Sequence, residues 1–93
     1  KHVFDGLCME VVIITGEDCL HCVELEASLN ETRLSVPHRF LDKRDAMPLF
    51  EAHPLFAASV DVLPFAGVFD EGECLAIVRA ATIERIEEAL ISL

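Results

Sequence analysis

Apolar residues run unbroken from Val11 to Ile14 and then give way to Thr15 and Gly16. Four β-branched residues with no polar break predict a central strand, Glu10–Thr15, covered on both faces and ended by the glycine. Asp18 is placed to cap a helix that begins at Cys19 and lasts to about Glu31. A second strand is predicted over Val36–Leu41, which makes the first three elements a βαβ unit with a right-handed crossover. The segment KRDAMPLFEAHPLFAASVD after Asp42 has helical character, but Pro48 and Pro54 forbid one straight helix. Each proline fits the first turn of a short helix. VLPFAGVF begins a third strand with Pro64 at its start, Asp70–Glu73 is a hairpin turn, and CLAIVR is a fourth strand. Thr82 caps a last helix whose Ile83, Ile86, Leu90 and Leu93 share one stripe. The order βαβ, α, ββα predicts an α/β fold, a four-stranded mixed sheet with helices on both faces.

Composition adds limits to that outline. A chain of 93 residues suits one domain, 1–93. Its 53% hydrophobic content exceeds the need of one small core, so a homodimer surface is an expectation. Seventeen acidic residues against seven basic ones give a net charge of −10, which argues against nucleic acid and anionic membranes as partners. No apolar run is long enough for a transmembrane helix and no signal peptide is visible, so cytoplasm is the expected compartment. Cys8, Cys19, Cys22 and Cys74 are too few for a disulfide scaffold. In a reducing compartment the close pair points to redox catalysis or to metal.

Cys19 and Cys22 lie one helical turn apart at a predicted helix start. That spacing puts them on one face with Cβ atoms about 5–6 Å apart, and a tightened first turn closes this to the roughly 3.5–4.5 Å of a disulfide. Free amides and the positive helix end stabilise a thiolate there. Cys19, at the very start, is the expected nucleophile. Cys22, one turn in, is the expected resolving thiol. His21 favours the Cys19 thiolate if its ring turns toward it, whereas Glu17 and Asp18 oppose it by like charge. Lys43 and Arg44 follow a strand parallel to the first, so they belong to the same sheet end and can offset those carboxylates.

A strand, a Cys-x-x-Cys at a helix start, then a proline opening a later strand resembles the thioredoxin superfamily over nearly the whole chain. DVLPFAGVFDEGECL is similar to the thioredoxin segment in which a cis-proline opens a strand that turns back. CLHCVELEASL is similar to the glutaredoxin helix, and the short chain suits a glutaredoxin-like minimal fold. The resemblance implies a thiol–disulfide oxidoreductase without cofactor, acting on a protein or small-molecule disulfide or thiol. It makes Pro64 the cis-proline and Leu63 the residue whose backbone pairs with an extended substrate. A central strand tolerates proline only at its first residue, which independently singles out Pro64. The chain departs from the pattern at Leu20-His21, where the relatives usually carry a proline, and at Ile13 and Asp18, where thioredoxins carry aspartate and tryptophan. It also lacks the lysine and the Gly-Gly pair with which glutaredoxins hold glutathione, so glutathione is a disfavoured partner.

Other readings use the same cysteines. IITGEDCLHCVELEASL is also similar to the soft-metal carriers of the ferredoxin-like fold, with Glu17 where those have methionine, and thiolates suit Cu(I) or Zn. A glutaredoxin-like dimer can hold an iron–sulfur cluster through Cys19, and a thioredoxin-fold module can bind partners without catalysis. Cys8 and Cys74 are expected at the sheet end opposite Cys19, as small buried hydrophobes. His2, His38 and His53 are expected at the surface. Met47, Phe50 and Phe56 are either core or apolar substrate surface near Pro64.

Overall fold

The structure is a computed structural model and describes residues 9–93. His2 and Cys8 lie outside the described residues. Strand β1 (Met9–Thr15) leads to helix α1 (Leu20–Glu31), strand β2 (His38–Asp42) and a 3-10 turn at Lys43–Asp45. Short helices α2 (Met47–Ala52) and α3 (Pro54–Ala58) follow, then strands β3 (Phe65–Asp70) and β4 (Glu73–Val78) and helix α4 (Ile83–Ile91). The sheet order is β2-β1-β3-β4, with β1 parallel to β2 and the other two pairings antiparallel. Helices cover both faces of this mixed four-stranded sheet, as the sequence predicts.

The apolar run of β1 explains the layering. Val11 and Ile13 point to one face, Val12 and Ile14 to the other, and all four are essentially inaccessible. Burying a side chain of this size contributes roughly 1.5–3 kcal/mol, so both faces of β1 anchor a core. On the first face Leu25 and Leu29 of α1 and Ile86 of α4 pack with Ala66, Val68 and Val78. On the second, Phe56 of α3 packs with Phe65 and Phe69 of β3 and with Ala46. Gly67 makes room for the Phe56 ring, since a Cβ there would approach Phe56 Cε1 to 2.6 Å and Phe69 Cε2 to 2.8 Å. Pro48 and Pro54 sit in the first turns of α2 and α3.

Several boundaries move, each for a local reason. Strand β2 begins at His38 rather than Val36, because Pro37 has no amide to donate and joins the ladder only as the acceptor of the Val11 N–H at 2.9 Å. Strand β4 runs from Glu73 to Val78, one residue earlier at each end than CLAIVR. Its pairing steps from Cys74 opposite Phe69 to Ala76 opposite Val68, so Leu75 is a bulge residue. Cys74 therefore packs against the Phe56 side while Ala76 and Val78 pack against the α1 side. The hairpin closes through Glu71 and Gly72, both at positive φ, as a tight two-residue turn of this hand requires. Thr82 caps α4 by accepting the Arg85 N–H at 3.1 Å. The helix ends at Ile91, however, so Leu93 leaves the predicted stripe and is exposed.

Candidate active site

The cysteine pair sits where β1 passes into α1. Cys19 and Cys22 are joined in a disulfide with Cα atoms 5.2 Å apart. Asp18 was expected to cap the helix, and it does not. It turns the chain with φ +54°, a left-handed conformation that aspartate tolerates better than most residues. Cys19 takes the cap position in extended backbone, and its Sγ accepts the Cys22 N–H at 3.1 Å. A cap residue typically has extended backbone, which Cys19 has at φ −110° and Asp18 does not. Cys19 is half-buried and Cys22 is buried.

The charges around the turn form pairs of their own. His21 is exposed, and its Nδ1 lies 3.2 Å from Glu24 Oε1, one turn along the helix. Arg44 reaches Glu17 at 3.0 Å through Nη1 and Asp42 at 3.1 Å through Nε. The Asp42 carboxylate also accepts the Arg44 backbone N–H, at 2.8 Å. The Arg44 backbone and side-chain contacts hold the Asp42 carboxyl below its usual value, and the hydrogen bond to Asp42 raises the Arg44 guanidinium. Register explains the meeting: Thr15 lies opposite Asp42, so the chain leaves β2 beside the cysteine turn.

Leu63 and Pro64 come to the same end from β3, whose Phe65 pairs with Ile14. The Leu63–Pro64 peptide bond is cis. Pro64 is buried, and its carbonyl accepts the Ala81 N–H at 2.8 Å. Ala80 bends that second loop with φ +49°, a conformation alanine enters only at a cost of order 1–3 kcal/mol. Gly16 supplies the clearance on the other side, because a Cβ there would approach Leu63 Cδ1 to 2.7 Å. Asp61 and Arg79 form an ion pair that lowers the Asp61 carboxyl and clamps the base of the loop.

Two recesses flank the first turn of α1. One, of about 500 Å³, lies between α1, the Leu63–Pro64 loop and the Ala80–Glu84 segment. The other, of about 510 Å³, contains Cys19 and Cys22 and reaches Phe40 of β2. Sequence reasoning missed Gly16, Glu24 and the Ala80–Glu84 segment; only Glu24 carried a signal, its i,i+3 spacing from His21. Phe56 is core, Phe50 packs on it, and Met47 is exposed. Cys74 is the second residue of β4, away from the cysteine turn, and burial pushes its thiol up. Ile13, at the position of the thioredoxin aspartate, is fully buried in the core. Among the described residues no third Cys, His, Asp or Glu joins the pair in a metal-binding group, and no helix is long and apolar enough to cross a membrane.

A Cys-x-x-Cys disulfide opening the first helix of this sheet defines the class: the chain has the thioredoxin fold. Known structures agree. A mutant thioredoxin from Halobacterium salinarum superposes with a TM-score of 0.68 at 16% identity, over 97% of this chain and 78% of that one. The short form of thioredoxin f from spinach chloroplast gives 0.68 at 19% identity, over 96% and 79%. Oxidised thioredoxin from Plasmodium falciparum gives 0.63 at 12% identity, over 97% and 85%. No family model matches the sequence, and neither does any curated protein.

Proposed function

We propose that the protein is a thiol–disulfide oxidoreductase in which Cys19 attacks and Cys22 resolves. The observation that carries this reading is the asymmetry of the pair: Cys19 is half-buried and its sulfur receives the Cys22 amide, and a buried Cys22 stands behind it. A thiolate on Cys19 gains that N–H and the positive end of α1. It attacks one sulfur of a substrate disulfide, forms a mixed disulfide and expels the other sulfur as a thiolate. Cys22 then loses its proton to water and attacks the Cys19 sulfur. The Cys19–Cys22 bond forms, the second substrate thiolate leaves, and two electrons have passed to the substrate. Run backwards, the same steps place a disulfide in a dithiol.

Leu63 and Pro64 present the substrate. An extended segment lying along this loop pairs with the Leu63 backbone and sets its sulfur over Cys19. His21, held by Glu24, and Asp18, bent away from the cap, tune the site through charge rather than by contact with the sulfur. The test is a trap. Reduced Cys22→Ser protein mixed with a protein disulfide such as insulin accumulates a mixed disulfide at Cys19, detected by mass spectrometry and released by dithiothreitol. Absence of that adduct, with Cys19 shown free and reduced, removes the reading.

A further inference from the structure

Resting on that reading, we infer that the site selects disulfides flanked by lysine or arginine and discriminates against anionic ones, glutathione disulfide among them. The inference comes from the walls of two recesses, one holding Cys19 and Cys22 and the other lying along α1 beside the Leu63–Pro64 loop. The recess beside Pro64 carries Glu24 and Glu84 on an apolar floor that includes Leu25, Leu63 and Ile83. The recess around Cys19 carries Asp18 and Glu26. All four acidic residues are exposed. Among the described residues, neither recess is lined by a lysine or arginine. The one basic side chain there, His21, already lies on Glu24.

The guanidinium at the cysteine turn does not change this balance, and Arg79, beside the other recess, is paired with Asp61. Arg44 contacts Glu17 and Asp42 together, so one positive charge faces two negative ones. A substrate segment crossing the first turn of α1 thus meets carboxylates on both sides of its cysteine, within a chain of net charge −10. A cationic flank gains attraction on approach and in the complex, and an anionic flank meets repulsion in both. The apolar floor accepts the aliphatic stem of a lysine or arginine while its head reaches a carboxylate.

The test uses the reduced protein and two peptides that differ only in having lysine or glutamate beside the cysteine, each as a mixed disulfide with 2-mercaptoethanol. The uncharged 2-hydroxyethyl disulfide and glutathione disulfide are run alongside. At low salt the lysine peptide is expected to react about tenfold faster than the glutamate peptide, and the gap to close as salt screens the recess. Glutathione disulfide is expected to react more slowly than 2-hydroxyethyl disulfide. The Glu24→Gln/Glu84→Gln variant narrows the lysine-to-glutamate ratio about threefold, whereas Glu24→Asp/Glu84→Asp keeps it. A ratio near one or inverted at low salt, with 2-hydroxyethyl disulfide still reduced, overturns the charge selection alone. Failure on all four disulfides overturns the oxidoreductase reading beneath it.

Discussion

Cys19 and Cys74 lie toward opposite ends of the sheet, and their surroundings differ in every respect that governs a thiol. Cys19 occupies a helix cap, half-open to solvent, with an amide directed at its sulfur. Cys74 sits near the start of an edge strand, packs against the Phe56 core and donates its thiol proton to the Ala76 carbonyl at 3.6 Å. Backbone position makes the difference. A cap offers unpaired donors to an anion, whereas the Cys74 sulfur is packed among apolar neighbours and meets a carbonyl acceptor. The same residue type is thereby prepared for chemistry at one end and for packing at the other.

The comparison breaks most visibly in turnover. Cys19→Ser is expected to lower the rate of disulfide reduction at least about 100-fold, while Cys74→Ala leaves it within about twofold. Equal losses would show that the two ends are coupled. A smaller contrast is expected in alkylation of the reduced protein. Near pH 7, iodoacetamide modifies Cys19 about tenfold faster than Cys74, as followed by peptide mass mapping. Because burial raises the Cys74 thiol, its thiolate fraction at neutral pH is reduced. Its rate should still be climbing with pH at and above the ordinary thiol range. The smallest effect concerns acid. Arg44 and Arg79 hold Asp42 and Asp61, both at the Cys19 end, below the ordinary carboxyl value of about 4. Their contribution to stability is present above that value and is lost as pH falls through the depressed ones. Asp42→Asn and Asp61→Asn should therefore each flatten the decline of the urea midpoint below about pH 4, by a modest amount because both pairs face solvent.

Much of the architecture was legible because one-dimensional signals carried it. Val11–Ile14 has the pattern of a strand buried on both faces, Pro48 and Pro54 mark two short helices, and Thr82 marks a cap. What stayed hidden depended on events between segments. Asp18 has cap chemistry, yet the chain must reverse between β1 and α1, and the left-handed bend at Asp18 passes the cap to Cys19. The Leu75 bulge turns Cys74 toward one core and Ala76 toward the other, which no alternation rule forecasts. Within the site, the cysteine spacing was readable, and the register that brings Arg44 beside Glu17 followed from the parallel pairing of β1 and β2. The tie from Ala81 to Pro64 and the close approach of Leu63 to Gly16 involve residues far apart in sequence with no chemical signature, so only coordinates reveal them.

That close approach constrains how such a protein can be altered. With a hydrogen at Gly16 where any other residue has carbon, the methyl of Leu63 nests against the turn that carries the cysteines. The two loops are cut to each other like a key and its ward. A larger residue at position 16 therefore has to displace the end of the Leu63 side chain, so a change at one of these two positions is felt at the other.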